Sequence, residues 1–491
     1  MKLRLSLLSC VALLPACNPS QTPVVESEKA NSSIQVSATD MSISRIETGL
    51  MDPMQITGKE TPYYDIESRL QHYNVPGVSI AVSFKGEVLW NKAYGTADVE
   101  QSRPMTTETM LLAGSISKPL AALRALQLHE QGQFLLDQNI NTYLSSWQLP
   151  DNQFTAVEKV TLRRILNHTA GLTVWGFPGY VKGDDVPSPV DVLDGQGNTD
   201  PVRVYKTPGE SWQYSGGGYT IMQQAIEDID KVSFAKSMQS NVLNPMKMNK
   251  STYVNPLPAE YHAIAATGYR ENGDEVSGKW PIYPEMAAAG LWTTPSQLIR
   301  YGIEVQDILE SKQDGILKHS TIIEMLTPGD KDHGLGPVVK EHFFQHGGAD
   351  EGFRARLIAW RDSPYAAVIM VNSDNGTIMN EIMLAIAKEY DLAGVKPTVK
   401  TLVELPVSDL YKFVGTYDAG TSGILEITLA DDTLSVLVVD YEYTTQILPE
   451  SASQFFDQRD GKVLNFTLVD GQAEQLEWRD ISAVRKQGKE Q

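Results

Sequence analysis

The sequence predicts an α+β protein, in which an antiparallel sheet flanked by helices and an all-helical region precede a small all-β sandwich or barrel. Strand-like runs occur near both ends of the larger part, a helix-prone apolar run follows Ser115, and short alternating segments fill the last part. With 491 residues, the chain is long enough for one large core and a second, smaller domain.

The antiparallel sheet is predicted from a hairpin and three later runs. Residues 77–84 and 87–94 are rich in β-branched and aromatic side chains, and Lys85-Gly86 between them is a turn signal. Strands and helices do not alternate regularly, which argues against parallel wiring. The later runs are strands at 342–346, 353–360 and 365–371 and a helix at 378–390.

Helices and loops are predicted between these strands. A short helix is expected at 62–73, and the leucines that follow Ser115 have the spacing of a buried amphipathic helix. Residues 169–218 are irregular and rich in Gly, Pro, Trp and Tyr. We therefore expect cleft-lining loops on a helical region.

Short alternating segments predict the second domain. Asp460-Gly461 and Asp470-Gly471 are among the turn signals that separate them. We expect a linker at 392–406 and a small β domain at 407–485. The predicted strands are 413–418, 425–429, 434–439, 446–448 and 463–468.

The N-terminus has the pattern of an export signal. Lys2 and Arg4 precede an apolar run, and Leu14-Pro15-Ala16-Cys17 resembles a bacterial lipobox, in which the cysteine is acylated. We expect a signal peptide at 1–16. Ordinary cleavage to a free periplasmic or secreted protein is the alternative.

Acylation of Cys17 would anchor the mature chain. Residues 17–60 are polar and lack periodicity, which predicts a flexible tether before a domain at 61–391. Asn18 is not the aspartate that resembles an inner-membrane retention signal, so we expect the periplasmic face of the outer membrane. Cys10 would leave with the signal, so no disulfide is expected.

Charge excludes one class of partner. The net charge is −20, with 61 acidic and 41 basic residues. Nucleic acids need a positive face, so we expect no nucleic-acid binding.

A serine and a lysine three residues apart open the helix-prone run. At this spacing the amine of Lys118 can reach the hydroxyl of Ser115 from the next turn. Ser233 and Lys236 have the same spacing, so the pair alone does not identify a nucleophile. Pro119 is tolerated only in the first turn of a helix, which predicts a helix that starts close to Ser115.

Three further motifs follow Ser115 in order. They are NHTAGL at 167–172, PGESWQYSGGGY at 208–219 and HGGADEGFR at 346–354. With the elements predicted above, the region 77–390 resembles the serine β-lactamase and penicillin-binding-protein-like family, most closely class C β-lactamases and the related esterases and D-aminopeptidases. The resemblance implies a β-lactamase/transpeptidase-like fold.

The resemblance also implies roles for individual residues. Ser115 would be the acylated nucleophile, Lys118 the first candidate for its base, and Tyr214, in the position of the family's Tyr-x-Asn tyrosine, a proton shuttle. The backbone N–H groups of Ser115 and Ala349 would form the oxyanion hole.

The sequence departs from the family pattern at two places. Gly216 replaces the asparagine that would hold a substrate's acylamino group, and His346-Gly347-Gly348 replaces Lys-Thr-Gly. An imidazole can be neutral near pH 7, so we expect weaker recognition of a substrate carboxylate, while His346 can still offer a hydrogen bond or a proton. The glycines allow close backbone approach of a ligand.

Other polar and aromatic residues are assigned no catalytic role. Tyr253-Val254-Asn255 also spells Tyr-x-Asn but lies outside the ordered motifs, and Asn167 and His168 are interpreted as structural support. The side chains of Trp175, Phe177 and Tyr180 either line an apolar pocket or pack in the core.

The predicted function is a serine hydrolase that cleaves an ester or amide through an acyl-enzyme, as an esterase or D-amino-acid peptidase does. A β-lactamase or DD-peptidase is the close alternative, and a non-catalytic penicillin-binding sensor is the alternative of another class. His129-Glu130 lacks the second histidine of a zinc helix and no Gly-x-Ser-x-Gly surrounds Ser115, so we expect no metal, no cofactor and no α/β-hydrolase. The expected partners are a small-molecule or peptide substrate and the membrane.

Overall fold

The computed structural model describes residues 37–420, 423–439, 443–479 and 481–486. The predicted signal peptide, Cys17 and the first part of the predicted tether lie outside the described residues. Among the described residues, no helix combines the length and the apolar character needed to cross a membrane.

The fold class predicted from the sequence is confirmed. Helices and an antiparallel sheet form the larger part, and a closed barrel forms the C-terminal part. The helices are α1 Ala38–Glu47, α2 Ile66–His72, α3 Ser117–Glu130, α4 Leu162–Leu166, α5 Pro189–Leu193, α6 Gly216–Asp230, α7 Phe234–Met238, α8 Met286–Ala289, α9 Pro295–Ser311, α10 His319–Met325, α11 Thr377–Glu389 and α12 Val407–Leu410.

The strands of the larger part include the predicted hairpin and the later antiparallel runs. They are β1 Met54–Ile56, β2 Gly77–Phe84, β3 Glu87–Asp98, β4 Arg103–Pro104, β5 Leu111–Leu112, β6 Trp292–Thr293, β7 Val338–Val339, β8 Phe343–Asp350, β9 Phe353–Trp360, β10 Tyr365–Val371 and β11 Thr398–Lys400.

The main sheet has seven strands in the order β4-β3-β2-β10-β9-β8-β7. Strands from both ends of the larger part therefore meet in its centre, where β10 pairs antiparallel with both β2 and β9. One face packs against α9 and the helical region, and the other packs against α1, α2 and α11. Because β7 is short and pairs only with residues 344–345, the edge of β8 beyond that point remains open.

The sequence predicted either a β sandwich or a β barrel for the C-terminal part, and the structure shows a closed barrel. Its strands run in sequence order around the barrel. The five predicted strands are present, and three more complete the circle. The barrel strands are β12 Gly415–Asp418, β13 Ile424–Ala430, β14 Thr433–Val438, β15 Tyr443–Pro449, β16 Gln454–Asp457, β17 Val463–Val469, β18 Gln472–Trp478 and β19 Ile481–Arg485.

The flexible tether expected up to residue 60 is wrong in its described part. Ser37 caps α1 through a capping box with Asp40, and Ile43 and Ile46 of this helix are buried against the sheet. β1 then pairs in parallel with β11, which lies inside the predicted linker. α1, β1 and β11 are short and contain few apolar side chains, so hydrophobic periodicity in the sequence does not predict them.

Candidate active site

Ser115 lies in a 3-10 turn, Gly114–Ile116, that leads directly into α3. Pro119 is in the first turn of α3, as the sequence predicted. The Nζ of Lys118 donates a hydrogen bond to Ser115 Oγ at 3.0 Å and another to the carbonyl oxygen of Ala288 at 2.8 Å. Lys118 is only 2% exposed, so its amine is held against the serine away from bulk solvent.

A second serine fixes the shape of this turn. Ser117 Oγ donates to the carbonyl of Gly114 at 2.6 Å and accepts the N–H of Leu291 at 3.0 Å. The hydroxyl of Tyr253 donates to the carbonyl of Ser117 at 2.8 Å. Tyr253 therefore supports the turn from the buried side.

Two glycines bring the turn against strand β8. A Cβ on Gly348 would lie 1.9 Å from the carbonyl oxygen of Ala113, and a Cβ on Gly114 would lie 2.5 Å from the amide nitrogen of Ala349. Gly114 also has φ +53°, a conformation that side chains rarely adopt. Only glycine fits at either position, and both Ser115 and Ala349 line the cleft beside this contact.

Tyr214 faces the amine of Lys118 with its ring. The ring centroid lies 5.0 Å from Lys118 Nζ, and the ring packs on that of His168 with centroids 4.2 Å apart. Among the described residues, no hydrogen bond joins the Tyr214 hydroxyl to Ser115 or Lys118. Catalytic hydrogen bonds often tighten only when substrate is bound, so this spacing is compatible with proton transfer.

His346 is buried beside the same lysine. Its Nδ1 lies 2.6 Å from the carbonyl oxygen of Gly347, and its Nε2 has no partner among the described residues. Burial, reinforced by the nearby charge of Lys118, lowers the pKa of His346 to about 3. The imidazole is therefore neutral at physiological pH and offers the cleft a hydrogen bond without a fixed charge.

Two more histidines complete a buried cluster around Tyr214. His168 Nδ1 accepts the N–H of Ser215 at 3.2 Å, which supports its predicted structural role. His333 packs edge-on against His168 with ring centroids 5.1 Å apart, and burial lowers the pKa of His333 to about 4. His333 lines the cleft, and no motif in the sequence pointed to it.

Two buried carboxyl groups, those of Asp350 and Glu285, interact electrostatically in this region. Asp350, at the end of β8, is 5% exposed and lines the cleft, and one of its oxygens has no partner among the described residues. Burial raises the pKa of Asp350 to about 8, although Lys118 and Arg354 oppose the shift. Glu285, just before α8, is fully buried, neither of its carboxyl oxygens has a partner in the part of the chain that the structure describes, and burial raises its pKa to about 8.

Gly216 and Gly347, two positions that depart from the family motifs, have different surroundings. A Cβ on Gly216 would lie 2.9 Å from Cε2 of Phe177, so an aromatic ring fills the space beside this residue. A Cβ on Gly347 would meet only the carbonyl oxygen of Ala355, at 3.9 Å. Arg356 is the cross-strand neighbour of Gly347 and lines the cleft there. Its guanidinium donates to Asn380 Oδ1 and forms no ion pair among the described residues.

An open cleft of about 720 Å³ is lined by Ser115, Lys118, Tyr214, His333, His346, Asp350 and Arg356. Every predicted site residue that the structure describes lies on it or beside it, except that Gly216 is set back behind Phe177. Trp175 and Phe177 line the cleft, whereas Tyr180 is buried and accepts the N–H of Asn198. Among the described residues, no group of His, Cys, Asp and Glu is arranged to hold a metal ion.

The sequence missed several residues of the cleft. Asp350 stood inside a quoted motif but was assigned no role, and Ser117 stood inside the nucleophile motif itself. Asn380 and His333 had no local signal, because each lies outside the quoted motifs, whereas Arg356 lies just beyond the last of them.

The sequence of this chain is similar to a known family model and to known proteins. Residues 60–388 match the family model described as Beta-lactamase. The chain is 23% identical over 416 residues to penicillin-binding protein 4* of Bacillus subtilis, which covers 78% of this chain and 88% of that protein. It is 23% identical over 329 residues to protein flp of Staphylococcus aureus, which covers 62% of this chain and 61% of that protein.

Solved structures share the fold. An octameric penicillin-binding protein homologue from Pyrococcus abyssi superposes with a TM-score of 0.60 at 22% identity, covering 86% of this chain and 98% of that one. A D-amino acid amidase from Ochrobactrum anthropi, complexed with L-phenylalanine amide, superposes with a TM-score of 0.56 at 18% identity, covering 72% of this chain and 99% of that one.

Proposed function

The chain belongs to the beta-lactamase family of serine hydrolases, and from that premise we propose that it hydrolyses an ester or amide through an acyl-enzyme at Ser115. The observation that supports this proposal most directly is the 3.0 Å separation between Ser115 Oγ and Lys118 Nζ, in a cleft that Tyr214 and His346 also line. A serine hydroxyl becomes nucleophilic only when a neighbouring base takes its proton, and the amine of Lys118 is hydrogen-bonded to this hydroxyl.

The proposed reaction uses the groups around this pair. Ser115 Oγ attacks the carbonyl carbon, its proton passes to Lys118 or through Tyr214, and the same groups return a proton to the departing alcohol or amine. The amides of Ser115 and Ala349 stabilise the oxyanion. Water then attacks the acyl-enzyme and releases the acid.

The neutral state of His346 favours an esterase or D-amino-acid amidase over an efficient β-lactamase. With its pKa lowered to about 3, the imidazole supplies no positive charge for a substrate carboxylate at neutral pH. Its unpaired Nε2 suits a neutral hydrogen-bonding group of the substrate.

One observation favours the second candidate, a β-lactamase or DD-peptidase. Arg356 is a cation without an acidic partner among the described residues, and the absence of a side chain at Gly347 leaves its part of the cleft open. Such a guanidinium could bind the carboxylate of a β-lactam or of a cell-wall peptide.

Intact-mass analysis with three probes tests the proposed function. We expect the full chain to gain one acyl or phosphonyl group from a fluorophosphonate and to turn over a chromogenic ester, and Ser115→Ala to do neither. Ser233→Ala is the matched control, because Ser233 has the same spacing to a lysine but is exposed at the start of α7. This variant should react like the unaltered chain.

The other outcomes discriminate among the candidates. Faster turnover of a β-lactam than of the ester would favour the second candidate. A stable adduct without turnover would favour a penicillin-binding sensor. The absence of any Ser115-dependent adduct would contradict all of these functions.

We also propose that acylated Cys17 anchors the mature protein at the periplasmic face of the outer membrane. The N-terminal pattern Leu14-Pro15-Ala16-Cys17 supports this proposal. Membrane fractionation of the full chain and of Cys17→Ala tests it. Release of the variant alone into the soluble fraction is expected, and equal solubility of both would favour a free periplasmic or secreted protein.

A further inference from the structure

An exposed tryptophan stands at the mouth of the cleft. Trp175 is 71% exposed, lines the cleft, and lies with its ring centroid 6.2 Å from that of Tyr214. A large aromatic surface left open to water at a binding cleft gains free energy when an apolar group covers it.

The backbone holds this tryptophan in place. The carbonyls of Trp175 and Val174 accept the N–H groups of Gly216 and Gly217, at 3.0 and 3.1 Å, at the start of α6. Val174 has φ +60°, a conformation that is strained for a β-branched residue. Strain of this kind persists only where the surrounding contacts hold it, and here it directs the next side chain over the cleft.

Phe177 continues the apolar surface from Trp175. Its ring stands 2.9 Å from where a side chain on Gly216 would begin, so any side chain there would have to displace the ring. Trp212 also lines the cleft, and its ring centroid lies 6.4 Å from that of Tyr214, which Trp175 approaches as well. We define Trp175, Phe177 and Trp212 as the aromatic wall.

Two further ionisable side chains of the cleft come from the sheet. Asp350 is on β8 and Arg356 on β9, whereas the aromatic wall belongs to the loops of the helical region. The two sides therefore suit different parts of one substrate. The wall is adjacent to Gly216, the position to which the family resemblance assigns contact with the acyl part.

We propose that the aromatic wall selects substrates whose acyl part carries a flat apolar group, such as a phenyl ring. This inference rests on the proposed hydrolase function. A ring between Trp175 and Phe177 would bury their exposed faces and replace the polar contact that Gly216 lacks. A small acyl group such as acetyl would leave the wall exposed to water.

Hydrolysis of two p-nitrophenyl esters with the same leaving group tests this inference. The full chain should show kcat/KM for the phenylacetate at least about tenfold above that for the acetate. Trp175→Ala should reduce this ratio by about fivefold or more, and Trp175→Phe should retain most of it. Tyr411→Ala is the matched control, because Tyr411 is an equally exposed aromatic, 63%, located by the barrel; it should leave the ratio unchanged.

The outcomes separate the inference from the proposed function. An unaltered chain that hydrolyses both esters, with the same ratio in Trp175→Ala, would overturn the acyl selectivity and leave the hydrolase function standing. A chain that hydrolyses neither ester and forms no Ser115 adduct would overturn both. If Trp175→Ala does not fold, Trp175→Gln removes the ring with less change in side-chain length and gives the same comparison.

Discussion

Ser115 differs from the other serine with the same lysine spacing because of its surroundings. Lys118 is buried and hydrogen-bonded to Ser115 Oγ and to the Ala288 carbonyl. Ser233 is exposed at the N-terminus of α7, and Lys236 forms no hydrogen bond to it. The same local pattern therefore brings the amine and the hydroxyl together only where tertiary contacts hold the lysine in place.

Glu285 gives the first prediction, which concerns pH. Its pKa is raised to about 8 in the folded state, so the folded protein binds this proton more tightly than the unfolded chain, whose carboxyl titrates at the ordinary value of 4.5. The resulting stability is present below pH 4.5 and is lost as the pH rises to about 8. Glu285→Gln removes this loss, so its Tm should exceed that of the unaltered chain most above pH 8 and progressively less towards pH 4.5.

Thermal unfolding across this pH range is the measurement. Asp40→Asn is the control, because Asp40 is exposed on α1, and its Tm difference should not follow the same pH course. A Tm difference for Glu285→Gln that is independent of pH would contradict the buried, unpaired carboxyl.

At the scale of elements, the cleft depends on how closely one turn approaches one strand. β8 passes the Gly114–Ile116 turn so closely that Gly348 has no room for a side chain. This contact brings Ala349 of the strand and Ser115 of the turn to the same cleft. The close approach of β8 to this turn therefore depends on glycines, which have no side chain, as well as on the side chains that pack nearby.

Gly348→Ala tests this approach. The added Cβ would lie 1.9 Å from the Ala113 carbonyl oxygen, so β8 and the nucleophile turn must separate. Loss of one oxyanion donor typically lowers kcat by about 10²–10³-fold, and we expect a loss of that order for ester hydrolysis. Gly347→Ala controls for stability, because its Cβ meets only one atom, at 3.9 Å, and its Tm should remain native. Full ester turnover in Gly348→Ala would contradict the proposed oxyanion hole.

Helix-to-helix ion pairs give a second test at this scale. Arg69 of α2 donates to Glu381 of α11 through Nε at 2.7 Å, and the Glu381 side chain is fully buried. Glu381→Ala leaves the Arg69 charge without this buried partner, so the free energy of unfolding should fall by about 3–5 kcal/mol. Arg45 pairs with Glu389 of α11 from α1 but is 59% exposed, so Arg45→Ala should lower the free energy of unfolding far less than Glu381→Ala does. Chemical denaturation measures both, and equal losses would contradict the role of burial.

At the scale of the whole molecule, the N-terminal segment ties the two domains together. α1 packs on the larger domain next to α11, while β1 pairs with β11 in the segment that leads to the barrel. Lys400 of β11 forms an ion pair with Glu450 of the barrel at 2.9 Å. The segment expected to be a tether is therefore part of the folded unit from α1 onwards.

Removal of this segment tests its contribution. A chain that begins at residue 58 loses four buried apolar side chains that a chain beginning at residue 37 keeps, and each typically contributes about 1.5–3 kcal/mol. These side chains are Ile43, Ile46, Leu50 and Met51. The shorter chain should have a clearly lower Tm, whereas Met41→Ala, at a half-exposed position of α1, should not. Equal Tm values for the two chains would restore the tether interpretation.

Local pattern predicted much of the fold. The observed bounds of β2, β9 and β10 coincide with the predicted ones, because β-branched and aromatic runs between turn residues define such strands without help from distant contacts. In the barrel, β16, β18 and β19 were missed. Polar residues dominate parts of these strands, and pairing with their neighbours completes them.

By itself, the sequence determined the fold class, the order of the motifs and the positions of Ser115, Lys118, Tyr214 and His346 along the chain. Only the tertiary structure decided what surrounds them. The approach of Gly348 to the nucleophile turn, the filling of the space beside Gly216 by Phe177 and the arrival of Arg356 at the cleft all join residues far apart in sequence. Local propensities and residue spacing can be read from the sequence alone. Burial, the exclusion of side chains and the protonation of a buried group arise only when distant segments pack together.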